Sequence, residues 1–527
     1  MSEFSHKTRH QNLGRFEREI FDLLIVGGGI TGAGIARDAA MRGLSVALVE
    51  KSDFASGTSS RSSKLIHGGF RYLETYDFRL VYESCRERHL MMKLLPRLVE
   101  PIPFLFPFYD LPTFGMLYRS IGMWVYDALA MFRNVHRHKM LKPKHALETE
   151  PGIRSDGLCG AALYYDCQTN DAWLTMALLQ DAHRRGAVIV SYTGATELRL
   201  KSEESECVLK DEINANELCV RARVVVNASG PWMDQVRQIG GKDLPRLQTS
   251  KGTHLVLDRH RVPHERSVLF ASPDDGRVLL IIPAGNISIL GTTEVSEDLD
   301  SAFSNADEVD YLLRAANSAF PGTDLTRDDV WCTYAGHRPL IKSDRGNLTS
   351  ASRKHEIFQD DDGLISIGGG KLTTHRAMAE EVVDIIVRRL GKSVRPCETA
   401  VTPIEESESN VDGRPVEDHL RHRYGPAASH VLDLLKNDDS LNSEIVPGLP
   451  YKYAELDYCI EQEMVITLED FLWRRVPLLL EDKNHGLNAI EQVAGRIQSV
   501  LGWSNELREQ QVDAYREVVR KSLPHSG

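Results

Sequence analysis

Short apolar runs alternate with helix-length periodic stretches along most of this chain. Residues 23–26 are wholly apolar and too few for a helix, the pattern of a strand buried on both faces of a parallel sheet. Residues 33–41 carry small side chains along one side and predict a helix that Gly43 ends; 45–49 predict a second buried strand. An amphipathic helix is expected over 79–95, after which Pro96, Pro101, Pro103, Pro107 and Pro112 break up an apolar stretch. Residues 115–132 are apolar at helix length but not confined to one face, so a core helix with a solvated end is expected there. A helix over 172–185 and strands over 187–190 and 223–226 resume the alternation. Runs at 278–282 and 287–290, joined through Ala284-Gly285-Asn286, predict a β-hairpin. A strand over 363–367 leads through three glycines into a helix that ends at Leu390.

The pattern predicts an α/β protein with a Rossmann-like nucleotide-binding domain assembled from 20–95, 146–235 and 345–395. A β-rich substrate cap is expected from 96–145 and 236–344, an acidic linker over 396–412, and a helical domain over 413–527. In that last domain Thr467-x-x-Asp470, ahead of Phe471-Leu472-Trp473, reads as a capping box. Residues 1–19 read as a flexible tail.

Composition narrows the function classes. A net charge of −12 argues against nucleic acid as the main partner. Eight cysteines without a C-x-x-C pair exclude a disulfide framework or a zinc ribbon and fit a reducing, cytoplasmic compartment. The nineteen histidines show no metal-ligand spacing. Residues 1–20 are charged throughout and read as no secretory signal, and no apolar run reaches the roughly 20 residues of a membrane span. Arg133, Arg137, Lys139, Lys142 and Lys144 directly follow the 115–132 stretch. An apolar helix beside such a run can also lie on an anionic bilayer.

The candidate chemistry begins in the turn after the first strand. Gly27-x-Gly29-x-x-Gly32 opens the predicted helix, and Glu50 ends the second strand roughly 20 residues on. A pyrophosphate must approach main-chain N–H groups at a helix N-terminus, and side chains would block it, so Gly27 and Gly29 have none. Gly32 and Gly34 would let the helix lie close on the sheet, and Glu50 would accept from a ribose diol. The hydroxyl-rich loop through Thr58, Ser59, Ser60, Lys64, Leu65 and His67 to Gly68-Gly69 can run along a cofactor; by itself it reads equally as a serine-rich surface loop. Arg71, Arg338 and Lys371 each stand beside a glycine-rich turn, and together they would hold a dianionic phosphate or a carboxylate. His67 and His254 are the candidate general bases, since an imidazole can take an alcohol proton as hydride leaves.

Several segments together resemble the FAD-dependent glycerol-3-phosphate dehydrogenases. They are Gly27 to Ala36, Thr58-Ser59-Ser60, Lys64 to Gly69, Arg71 to Glu74, Asn227 to Trp232, Gly291-Thr292-Thr293, Gly370 to Thr374 and the Thr467 to Arg475 run. The resemblance implies FAD along Gly27–Gly32, Glu50, the 58–67 loop, Gly230 and Gly370, Lys371, Leu372 and Thr373. It implies that Arg71, Tyr72, Arg338 and Lys371 bind glycerol 3-phosphate, with hydride passing from C2 to flavin N5 to give dihydroxyacetone phosphate. It also implies a quinone acceptor and peripheral attachment to the inner face of the cell membrane; a homodimer is carried as a candidate assembly, with the oligomeric state left open. Glu294 departs from the family pattern, which has Asp there, and its role is left open. Two other readings remain: an amine or amino-acid oxidase whose cations hold a carboxylate, and a flavin-binding sensor subunit without turnover.

Overall fold

The computed structural model describes residues 3–73, 76–112, 114–299, 303–342, 354–404 and 418–524, the side chain of Arg71 excepted. Residues 405–412 of the expected linker lie outside the described residues. An eight-stranded sheet is built around Ile20–Val26, which pairs in parallel with Glu217–Asn227 on one side and Val46–Val49 on the other. Ile365–Gly368 extends it beyond Glu217–Asn227, and Val188–Val190 beyond Val46–Val49, again in parallel. The register brings the strand ends level. Val26 pairs with Asn227 and with Val49, Val49 with Val190, and Asn227 with Ser366. Five segments therefore leave the sheet at one edge, the edge where open parallel sheets bind ligands.

Period-two alternation sorts the central strand between two cores. Leu23 and Ile25 pack under helices Ile30–Met41, Asp171–Arg184 and His375–Leu390. Leu24 and Val26 face the opposite side, under Phe16 and the Thr193–Arg199 and Ser205–Asp211 strands, where Phe21 at the start of the strand also packs, outside that alternation. Residues 6–18 are thus not a flexible tail. They form helix His6–Arg18, whose Arg9 and Asn12 side chains donate to the carbonyls of Ser191 and Ile189. Gly34 also differs from expectation: a Cβ there would lie 3.3 Å from Ala379 Cβ, so the close approach is to helix His375–Leu390 rather than to the sheet.

The second sheet has nine strands and is antiparallel except where Ser267–Ala271 meets Glu100–Tyr109. It contains the expected 278–290 hairpin, as Val278–Ala284 and Ile287–Gly291. It also takes Leu65–Ile66 and Leu158–Gln168, which the sequence pattern assigns to the nucleotide domain; Leu158–Gln168 pairs along its length with Glu100–Tyr109. Helix Ala306–Ala319 covers one face. The C-terminal helices cover the other: Val256, Ile282, Ile289, Cys332 and Tyr334 share one apolar cluster with Phe471, Leu479, Ile490 and Tyr515. Helix Gly115–Leu129 is not the core helix the pattern predicts, since only Gly115, Met123, Tyr126 and Asp127 of it are buried.

Candidate active site

A cavity of about 720 Å³ opens where the five strands end. Gly27, Gly29, Ile30 and Thr31 line it, as do Glu50 to Asp53, Tyr192 to Ala195, Ala228 to Trp232 and Gly369 to Leu372. Each group follows directly from one strand of the sheet, so the parallel register itself assembles the site.

At Gly27 and Gly32 the glycine turn is shaped by contacts that no side chain could survive. Gly27 has φ +118°, and a Cβ there would sit 2.6 Å from the Ala228 carbonyl oxygen. A Cβ on Gly32 would lie 1.9 Å from the carbonyl oxygen of Gly27, and one on Gly29 would lie 3.1 Å from Ser59 Oγ. Helix Ile30–Met41 begins at Gly29, which has no side chain to cap it; Ser59 Oγ accepts from the Ile30 N–H at 2.9 Å, and Gly29, Ile30 and Thr31 of this N-terminal turn line the cavity. That cradle fits a pyrophosphate. Glu50 accepts from the Gly28 N–H at 2.7 Å and the Ser52 N–H at 2.9 Å. Burial raises its pKa against those two bonds. Each oxygen keeps a lone pair for a ribose hydroxyl. A dinucleotide such as FAD therefore matches both ends of the site, the helix N-terminal pole and the acid.

Of the residues singled out by sequence, Gly27, Gly29, Glu50, Thr58, Ser59, Gly230, Gly370, Lys371 and Leu372 line the cavity. Gly32, Ser60, Lys64, Leu65, His67 and Thr373 do not line it. The Lys64 ammonium is bound to Asp171 at 2.7 Å, and Leu65 pairs with Gln168 in the second sheet. The hydroxyl of Thr373 spans the main chain of His67, accepting from its N–H and donating to its carbonyl.

Two polar groups flank the 58–73 loop. In the first, Lys371 Nζ lies 3.8 Å from the Tyr72 ring centroid and donates to Ser84 Oγ, and the His67 ring stacks on Tyr72. In the second, His254 Nε2 is 2.8 Å from Ser63 Oγ and its ring stacks on Tyr334 at 4.7 Å. Arg338 donates there to Thr292 Oγ1 and to the Thr293 carbonyl. It does not line the cavity, although His337 and Pro339 on either side do. The Arg71 side chain lies outside the described residues. Glu294 faces Arg277, 3.6 Å away.

Burial, then the positive charges of Arg338 and Lys64, push the His254 imidazole down to about 3. His254 is thus neutral across the physiological range, and its Nδ1 is buried without a hydrogen-bond partner among the described residues. The unfolded chain would protonate this histidine near pH 6.5, so below that pH the unfolded state binds the extra proton. The stability it contributes is complete above pH 6.5 and drains away as pH falls toward 3. Between pH 6.5 and 5, wild-type stability should fall by about 2 kcal/mol more than that of His254→Gln, read from urea midpoints at the two pH values. Equal slopes would show that His254 is already charged in the fold.

Sequence reasoning missed several lining residues. Arg61 is one: its guanidinium lies 4.6 Å from the Trp473 ring, and burial lowers its pKa to about 10. A lone cation inside a hydroxyl-rich loop was the available signal. Asp53, Thr467, Glu469, Arg474 and Tyr515 also line the cavity, which carries the C-terminal domain into the site. No local pattern announces that, because the partners are more than 400 residues apart.

Comparison with known proteins places this geometry. Residues 22–385 match the family described as FAD dependent oxidoreductase, and 408–508 match the C-terminal domain of alpha-glycerophosphate oxidase. The chain is 35% identical over 550 residues to an aerobic glycerol-3-phosphate dehydrogenase of Bacillus subtilis, covering 99% of this chain and 98% of that one. A Staphylococcus aureus protein of the same name is also 35% identical, covering 99% and 97%. Among solved structures, glycerol-3-phosphate dehydrogenase from Bacillus halodurans complexed with FAD superposes with a TM-score of 0.82 at 32% identity, over 98% of both chains. Glycine oxidase from Geobacillus kaustophilus shares the fold at a TM-score of 0.53 and 22% identity, over 70% of this chain and 95% of that one.

Proposed function

This chain belongs to the FAD-dependent oxidoreductase family, and we propose that it oxidises sn-glycerol 3-phosphate to dihydroxyacetone phosphate. One observation supports the reading most: Lys371, a cation lining the cofactor cavity, is held on the face of Tyr72 beside the double glycine turn. The helix pole at Gly29 and the Glu50 carboxylate would hold FAD, which supplies a two-electron acceptor for hydride from the substrate's C2. Lys371 and Arg338, with Arg71, would draw in the dianionic phosphate, and Tyr72 would fix the ammonium's direction. His67, within the 58–73 loop, or His254, bonded to Ser63 of that loop, would take the C2 hydroxyl proton. We further propose that the electrons pass to a quinone, that the enzyme works from the cytoplasmic face of the membrane as a peripheral protein, and that it assembles as a homodimer. Among the described residues no helix is long and apolar enough to cross a membrane.

An anaerobic titration tests the reaction. Glycerol 3-phosphate should bleach the oxidised flavin band stoichiometrically, while glycine, sarcosine and D-amino acids leave it unchanged. Bleaching by the amines alone would overturn the substrate assignment, and a yellow protein that nothing reduces would mark a sensor subunit. The same titration run against pH with His67→Asn and His254→Asn identifies the base: its replacement lowers the reduction rate and removes its acidic limb, which for His254 would lie near pH 3.

A further inference from the structure

The middle of helix Phe78–Leu94 buries polar side chains. Ser84, Glu87 and Arg88, spaced i, i+3 and i+4 on one face, are all fully buried, while Tyr82 is 43% exposed. An amphipathic helix ordinarily turns its apolar stripe inward. Burying a charge is expensive, and a buried ion pair gains little over well-packed apolar residues of the same volume. Stability alone therefore gives no reason for a polar stripe here. Its three side chains bond to three different segments, and each of those segments leads to the Lys371–Tyr72 group.

Two of them act on the lysine side. Ser84 Oγ accepts from Lys371 Nζ at 3.2 Å. One turn on, Glu87 receives both prongs of Arg376, at 2.7 and 2.8 Å. Arg376 stands in the first turn of helix His375–Leu390, five residues after Lys371, and is itself buried. A two-pronged, dry pair of this kind fixes orientation as well as distance. It sets where helix His375–Leu390 begins against helix Phe78–Leu94, and so where the glycine turn ahead of it delivers Lys371.

Arg88 acts on the tyrosine side. It donates to Asp166, whose Oδ1 also accepts from the Gly68 N–H at 2.9 Å and from the Tyr126 hydroxyl at 3.1 Å. Gly68 is pressed into this group: a Cβ there would lie 2.1 Å from the Tyr126 oxygen and 2.6 Å from Cys85 Sγ. The double glycine turn is thus clamped to helix Phe78–Leu94 at Gly68. Tyr72 follows from it, its N–H donating to the Gly69 carbonyl at 2.9 Å. One helix therefore grips both of the segments, about 300 residues apart, that set the Lys371 ammonium 3.8 Å from the Tyr72 ring centroid.

We infer that Ser84, Glu87 and Arg88 are positioning residues for phosphate binding, acting through Lys371, Arg376 and Asp166 to hold the ammonium and the Gly68–Tyr72 turn in one geometry. The inference rests on the reading of Lys371 as a phosphate-binding cation. Inorganic phosphate, titrated calorimetrically into the FAD-loaded enzyme, is the probe. Ser84→Ala should weaken its binding about tenfold, the value of one hydrogen bond to a charged group, and kcat/KM for glycerol 3-phosphate should fall by about as much. Glu87→Gln, which keeps the shape but not the charge, should weaken phosphate binding about three- to tenfold. Flavin content should stay near wild type in both. Combined with Lys371→Ala, each substitution should change phosphate affinity by less than about twofold, because the group through which it acts is gone. A residue that merely supports the fold would cost the same in either background, and that additivity would overturn the inference. So would Ser84→Ala with wild-type phosphate affinity, or a colourless Ser84→Ala, which would tie the helix to cofactor retention. If Glu87→Gln does not fold, the Ser84→Ala cycle still decides. The non-additive pattern in an enzyme that glycerol 3-phosphate does not reduce would sink the substrate reading and leave the positioning role standing. Lys371→Ala with undiminished phosphate affinity would overturn both.

Discussion

Lys371→Ala should lower kcat/KM for glycerol 3-phosphate by about 10² to 10³-fold while FAD content stays near wild type. A charge-assisted contact to a phosphate that tightens as charge develops is worth about 3 kcal/mol in the transition state. At 1.36 kcal/mol per decade that is a little over two decades. The ammonium belongs to a small, fixed assembly. It lies 3.8 Å from the Tyr72 ring centroid, with Ser84 Oγ at 3.2 Å, and a Cβ on Gly69 would already be 3.4 Å from it. Its removal leaves the pyrophosphate cradle at Gly27–Gly32 and the Glu50 acid untouched, which is why flavin should stay. Arg338→Ala should fall in the same range, and Arg338→Lys should lie between, because lysine keeps the charge but not the two-pronged donor. Stopped-flow reduction of the flavin, with visible absorbance of the resting protein as the count of cofactor, separates the outcomes. Colourless Lys371→Ala with an unchanged KM for residual turnover would assign the lysine to cofactor retention.

The contrast between what the sequence discloses and what it hides follows contact order. The nucleotide cradle is local: strand, turn, helix and acid lie within residues 20–50, and each residue type there answers a backbone or pyrophosphate requirement. Lys371 and Tyr72 are legible only as a cation and a ring beside glycine turns; their meeting depends on packing between segments about 300 residues apart. Helix His6–Arg18 escapes because its burial is polar. Thr8, Arg9, Asn12 and Phe16 turn inward, and two of them do so to satisfy strand-end carbonyls rather than to hide apolar surface. The 115–132 stretch reads as core because hydrophobicity alone cannot say which neighbour will cover each side. Leu158–Gln168 falls to the wrong sheet since a strand's partner is set by register with distant residues, here Glu100–Tyr109, and not by its own pattern.

Asp53→Asn should cost the protein about 3 to 5 kcal/mol of stability and most of its FAD. Asp53 is fully buried and receives Arg474 Nε together with both prongs of Arg475, at 2.7 and 2.8 Å. Burial alone would raise its carboxyl pKa, but the charges of Arg475 and then Arg474 outweigh that and hold it below the usual range. Breaking a buried pair by neutralising one partner leaves the other charge under-compensated, and here two guanidiniums lose a shared acceptor at once, Arg474 keeping Glu469 and Asp470 and Arg475 keeping Glu463. The introduced amide would also turn an N–H toward groups that are themselves donors and cannot accept it. The capping box supplies the geometry: Thr467 and Asp470 bond reciprocally, so the chain turns there and presents both arginines to the nucleotide domain. Because Asp53 and Arg474 line the cavity, the same break loosens the wall around the cofactor. Added FAD should therefore recover part of the lost midpoint by mass action, and more of it in the variant than in wild type, whose site is already filled. Urea unfolding with and without excess FAD measures both terms. A midpoint within about 1 kcal/mol of wild type, with full flavin content, would mean that the C-terminal domain docks through its apolar contacts alone and that the Asp53 clasp is incidental.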